Sequence, residues 1–189
     1  MRLTVIPLLA FALSLTTTAA AQARDRSTSG RSRLELSFDH GYGFATEGQY
    51  VELAADLRLY APFGLGAVLR TGAAVQGPSN ALALDVGVAG RFDLLSYEHF
   101  GLQLGGALGP SLAAGPFDGG NVLAFGGWAL VNLDFWFRNF FVGLGVSGHA
   151  LVSERYGQEA EPGSIDPPGR TDPILSLTPL IRIGGDWGL

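Results

Sequence analysis

The amino-acid sequence predicts an all-β protein: a closed antiparallel up-and-down transmembrane β-barrel of about eight strands, preceded by a signal peptide. Three observations predict it. Apolar residues alternate with small or polar ones through nearly all of the chain beyond residue 32, the alternating runs are ten or more residues long, and the first 23 residues read as a secretory signal.

The signal comes first in the chain. A single positive charge at Arg2 precedes an apolar run from Leu3 to Leu15, and small residues follow with two overlapping A-x-A sites, so cleavage is expected after Ala21 or Ala23. Residues 24–32 form a short polar tether, and 33–189 make one barrel domain. The chain has no Cys, so neither a lipid-anchoring cysteine nor a disulfide framework is available. Every later apolar stretch is broken by Gly or a charge within a few residues, which leaves strands as the only means of meeting a membrane.

Eight segments follow in order, each with two distinct faces. Leu34, Leu36, Phe38, His40, Tyr42 and Phe44 oppose Glu35, Ser37, Asp39, Gly41 and Gly43. Val51, Leu53, Ala55, Leu57 and Leu59 oppose Glu52, Ala54, Asp56, Arg58 and Tyr60. In the third segment Leu65, Ala67, Leu69, Ala73 and Val75 oppose Gly66, Val68, Arg70 and Gly72; in the fourth Leu82, Leu84, Val86, Val88 and Phe92 oppose Ala83, Asp85, Gly87, Ala89 and Arg91. The fifth sets Phe100, Leu102, Leu104 and Leu108 against Gly101, Gln103, Gly105 and Ala107, and the sixth Phe125, Val131, Leu133 and Phe135 against Ala124, Trp128, Asn132 and Asp134. Phe140, Val142, Leu144 and Val146 oppose Gly143, Gly145, Ser147 and His149, and finally Leu175, Leu177, Ile181, Ile183 and Trp187 oppose Ser176, Thr178, Arg182, Gly184 and Asp186. Such lengths exceed the five or six residues usual in soluble sheets and match the roughly 9 to 11 needed to cross a bilayer at a tilt.

Connections near Pro62, Leu94–Glu98 and Arg138-Asn139 read as short, and those near Thr46, Gly77–Asn80, Ala113–Asn121 and Ser153–Asp172 as mostly longer. This places the termini on the short-turn, periplasmic rim and the long final loop outside.

Which face meets lipid is decided by the second face. It is mainly Gly, Ala and Ser with a few charges, which suits the crowded inside of a narrow barrel. A lipid-facing Arg near the midplane costs about 2–4 kcal/mol, whereas a lumenal charge can pair. Centring hairpins near Phe63 and near Gly77 or Pro78 sets Asp56 opposite Arg70 and Arg70 opposite Asp85, an Asp-Arg-Asp ladder; Glu35, Arg91 and Arg182 join the expected lumen charge network. Phe92, Phe100, Phe135, Phe137, Phe140 and Trp187 fall near the short-turn rim as an aromatic girdle. The alternative is a soluble exported lipocalin-like binding barrel with the faces reversed.

The chain ends RIGGDWGL, in which Arg182, Gly184, Trp187 and Leu189 match in order the C-terminal assembly signal of bacterial outer-membrane barrels. The chain departs at Leu189, where members commonly end in Phe or Trp. With the signal and strand rhythm, the mature chain resembles the small OmpA/OmpX-like, porin-like outer-membrane β-barrel class. The resemblance implies a bacterial outer-membrane location, insertion by the outer-membrane assembly machinery, and contact with the lipid bilayer and lipopolysaccharide. A monomer with a membrane-structural or surface-interaction role is expected.

Little chemistry is legible. All 12 basic residues are Arg, the formal charge is -5, and no basic stripe exists, so nucleic-acid binding is not expected. No cofactor is expected, nor a metal: Glu154, Glu159, Glu161, Asp166 and Asp172 make the last loop acidic without a recognisable ligand spacing, and Gly119-Gly120 precedes no helix. Some small barrels of the class modify lipid A with a Ser and a His near the outer rim. Ser147 and His149 are the candidates for such a hydrolase or acyltransferase, but they lie on the lumenal face and no acid is placed beside them by sequence. His40 reads as interfacial and His99 as a turn residue. No catalysis is expected, and a charge-packed eight-stranded bore should conduct poorly.

Overall fold

Alternation at this length dictates strands, and in the computed structural model eight of them close into one antiparallel barrel in chain order, with β8 returning to pair with β1. They are β1 Arg33–Ala45, β2 Gly48–Tyr60, β3 Leu65–Gln76, β4 Ser79–Ser96, β5 Phe100–Phe117, β6 Gly120–Phe137, β7 Phe140–Tyr156 and β8 Asp172–Gly188. The structure describes residues 32–45, 48–76, 79–97, 99–117, 120–156 and 172–189; the expected signal peptide, nearly all of the expected tether and most of the expected last loop lie outside them.

The faces fall as the period-two reading places them. Leu84, Val86 and Leu144 are exposed on the outer wall, at 47%, 43% and 67%, while Arg70 and Asp85 are buried in the bore at 1% each. A lipocalin-like arrangement is therefore inverted here. Closure leaves no free sheet edge, so the backbone ladder is satisfied without water. The expected girdle residues Phe92, Phe100, Phe135, Phe137 and Phe140 stand exposed at the short-turn rim, and Tyr97 stacks on Phe100 with centroids 4.5 Å apart. Trp187 is half-buried, with its ring lying along Gly185.

The rim opposite the short turns requires a correction. A loop is expected over Ala113–Asn121, but β5 runs on to Phe117 and β6 begins at Gly120, paired from Ala113↔Ala124 to Phe117↔Gly120. β1 and β2 are likewise separated only by residues 46–47, and β3 and β4 by 77–78, gaps no longer than 61–64, 97–99 and 138–139 on the rim read as short, so the expected difference in loop length between the rims rests on residues 157–171 alone. The Gly, Ala and Pro of these stretches look like loop composition, yet the ladder is built from backbone groups and tolerates small side chains wherever a neighbour supplies the filling. On the short-turn rim Gly64 takes a φ of 84°, inside a turn closed by Gly64 N–H to Ala61 O at 3.0 Å.

A second correction concerns the bore. Tyr60 and Trp128, expected on the inner face, are joined there by large apolar side chains that were not: Leu130 and Leu180 in the same cluster, and buried Trp136 packed on Phe141 with centroids 4.4 Å apart. Glycines opposite make the room. A Cβ on Gly184 would meet the Phe141 ring at 2.6 Å, and one on Gly43 would collide with the ring of Tyr50, its cross-strand partner.

Pro110 shows how a proline is accommodated inside a closed ladder. The β4–β5 pairing passes from Asp85↔Ser111 to Val88↔Leu108, missing the positions opposite Pro110 and Gly109. Pro110 has no N–H to give Val86 O. The Trp128 indole N–H, reaching from β6 inside the bore, donates to that carbonyl at 3.2 Å.

Candidate functional site

Inward-facing positions on β1, β2, β3, β6 and β8 bring charges of both signs into the middle of the bore. Arg70 on β3 is the upper hub. It donates to Asp39, to Asp56 Oδ1 at 2.7 Å and to Glu52 Oε1 at 2.5 Å. Arg182 on β8 is the lower hub, donating to Asp39 Oδ1 at 3.1 Å, Asp134 Oδ2 at 3.1 Å, Glu35 Oε1 at 3.4 Å and Ser37 Oγ at 2.8 Å. Arg58 ties them together, donating to Asp56 Oδ2 at 2.8 Å and reaching across the bore to Asn132 Oδ1 at 3.3 Å. At the short-turn rim Asp186 holds Arg33 at 2.7 Å and Arg91 at 3.2 Å, with the Arg91 guanidinium 4.4 Å above the Tyr60 ring.

The registers set Asp56 opposite Arg70 and Arg70 opposite Asp85. The three do not form an even ladder, however. Arg70 turns toward β1 and β2, leaving its Nε 3.8 Å from Asp85, whose nearer partner is His149 Nε2 on β7 at 3.2 Å. Glu35, Asp56 and Arg182 meet in one network and Arg91 stands apart at the rim. Sequence reasoning left out of the network Asp39, Glu52, Arg58, Asp134 and Asp186, all buried. They share the inner-face parity of the residues it did choose, which is the signal that could have found them.

No protein-family model matches the chain, and no curated protein matches it in sequence. Solved structures do match in shape. Neisserial surface protein A is similar with a TM-score of 0.51 at 9% identity, over 82% of this chain and 96% of that one. Ail of Yersinia pestis matches at 0.48 with 10% identity (85% and 100% covered), and the N-terminal barrel of Pseudomonas aeruginosa OprF at 0.47 with 10% identity (84% and 99%). The fold is that of the small eight-stranded outer-membrane barrels. At such identities the likeness is one of fold alone.

In this outer-membrane barrel fold Ser147 and His149 face the bore. Ser147 is buried and its hydroxyl donates to Glu52 Oε2 at 3.3 Å, while the imidazole of His149 addresses Asp85. The expectation that no acid lies beside them is corrected: closing the barrel sets β2 and β4 across from β7. Each group answers to its own carboxylate, an arrangement that ties the walls together. Of the C-terminal signal residues, Arg182 is the lower hub, a Cβ on Gly184 would run into Leu36 O, and Leu189 is exposed, its N–H donating to Ser32 O at 2.9 Å. His40 is exposed on the outer wall and His99 sits at the β4–β5 turn, accepting Arg138 N–H at 2.8 Å through its carbonyl. Among the described residues no group of three or more His, Asp or Glu converges to hold a metal ion.

Proposed function

We propose that this chain is a monomeric bacterial outer-membrane barrel with a membrane-structural or surface-interaction role, its termini on the periplasmic rim. The observation that carries the reading is the inverted burial pattern. Leucine, valine and phenylalanine stand exposed along the outer wall, while seven carboxylates and three arginines among the described residues are buried in the bore. In water such a wall would be an apolar patch far beyond the few hundred Å² that soluble monomers tolerate. Against acyl chains it is the expected surface, and Tyr42, Phe44, Phe92, Phe137 and Phe140 supply interfacial rings near its two edges. Lipopolysaccharide is then the neighbour at the rim where β7 ends and β8 begins, and the acidic, proline-rich sequence between them is the candidate contact segment. Arg182, Gly184, Trp187 and Leu189 act as the address read by the assembly machinery.

Cell fractionation with gel migration tests this. The folded protein should stay with outer membranes, resist extraction without detergent, and migrate differently before and after boiling. Release into a detergent-free soluble fraction would overturn the proposal.

A further inference from the structure

Between the Arg70 hub and the rim opposite the short turns, the bore opens into a chamber of about 90 Å³. Its lining breaks with the inner face beneath it. On β3 Arg70 gives way to Gly72 and Ala74, on β4 Asp85 gives way to Ala83, and on β7 His149 gives way to Leu151. Ala113, Ala124 and Leu151 form one buried apolar cluster, with Ala83 and Ile174 packed against it. A closed ladder of eight strands fixes the width of the bore, so small side chains cannot draw the walls together. Nearer the short turns Trp136, Phe141 and Tyr60 fill that width; here alanine leaves it open.

The floor, lined by Glu52, Arg70, Asp85 and His149, has little to offer a polar guest. Glu52 accepts from Arg70 through Oε1 and from Ser147 through Oε2, Arg70 also donates to Asp39 and Asp56, and His149 Nε2 is engaged with Asp85 Oδ2. Tyr50, in the wall, shares a hydrogen bond with Thr178 Oγ1 at 2.6 Å. These groups spend their hydrogen bonds on one another and on the barrel, and the alanine walls have none to give. Water needs two to four polar partners, whereas apolar cavities of about 150 Å³ stay dry and take benzene or xenon. A charged guest would surrender its hydration to a site whose ions are already paired. An apolar guest surrenders nothing of the kind, and it restores the dispersion contacts that an unfilled void forfeits.

We infer that the chamber is a binding site for a small uncharged hydrocarbon of about four to six carbons, held by the alanine, leucine and isoleucine side chains of its walls. The inference goes beyond the membrane reading, because it concerns the bore whatever surrounds the barrel.

The full mature chain, folded in deuterated detergent micelles with its alanine methyls labelled for NMR, can be titrated with cyclopentane and, separately, with tetrahydrofuran, the same ring with one ether oxygen. Free aqueous concentrations are read from the headspace vapour, so uptake by the micelles does not enter the comparison. With cyclopentane the methyls of Ala83, Ala113 and Ala124 should shift and saturate. Those of Ala67 and Ala129, exposed on the outer wall, should follow the micelle without saturating. Tetrahydrofuran should bind about tenfold or more weakly, because its oxygen loses water and gains no donor. Ala83→Leu fills the chamber and leaves the charges and the outer wall alone, so saturation at Ala113 and Ala124 should weaken by about tenfold or more; Ala113→Leu makes the same test from β5. Heat-modifiable migration shows whether each variant is folded, and the comparison of the two rings on the unaltered protein decides even if neither is. Bore methyls that fail to saturate, equal binding of tetrahydrofuran, or undiminished binding by a folded variant would overturn the inference.

Discussion

Arg70 meets more carboxylate than one guanidinium can neutralise: Asp39, Glu52 and Asp56 directly, with Asp85 at 3.8 Å. Desolvating these groups is costly, so the pairs are poor evidence of net stabilisation as such; removing one partner is another matter, because the others stay buried and alone. Arg70→Leu should therefore destabilise the barrel by about 3–5 kcal/mol. Arg70→Lys should recover only part of the loss, since an ammonium keeps the charge but lacks the planar fork that serves three strands at once. Reversible urea unfolding of protein refolded into lipid vesicles measures both. An Arg70→Leu midpoint equal to that of the parent would show that the carboxylates find other partners.

At the scale of an element, β5 carries a defect and β6 carries its repair. Pro110 leaves Val86 O without its ladder donor, and the Trp128 indole takes that place from inside the bore. Trp128→Phe removes the donor and leaves a carbonyl unmet, worth about 1–3 kcal/mol. Pro110→Ala restores a backbone N–H at the same carbonyl, so in that background Trp128→Phe should cost markedly less. A double-mutant cycle reads the coupling directly, and additive effects would separate the tryptophan from the proline. Strand order, the two faces and the Asp56/Arg70/Asp85 register were legible in the sequence because each follows from period-two alternation and from counting outward from a turn. The partnership of Trp128 with Val86 was not, nor that of His149 with Asp85 or Ser147 with Glu52, because these contacts span the bore between strands that never pair. The length of β5 and β6 was obscured for a different reason: Gly115 and Pro116 read as a loop, while hydrogen bonding to β6 holds them in the ladder.

Taken as a whole, the bore is a stack of stoppers, and this bears on whether it can pass ions. From the short-turn rim inward come Trp136 on Phe141, the Arg91–Tyr60 contact, and then Arg58, Arg182 and Arg70 among their carboxylates, each of these three arginines exposed by no more than 1%. Beyond them lies a cavity of about 90 Å³ that Arg70 itself lines together with Glu52, Asp85 and His149. For an ion to cross, a guanidinium must leave two or three charge-assisted hydrogen bonds together, and buried ions so exposed cost several kcal/mol each. Purified protein in planar bilayers at physiological salt should then give no long-lived conductance steps of the size a water-filled pore produces. Stable large steps would mean that the hub side chains swing aside as a unit, and in that case Arg70→Leu should raise the open probability; steps that Arg70→Leu leaves unchanged would place the ion path outside this bore altogether.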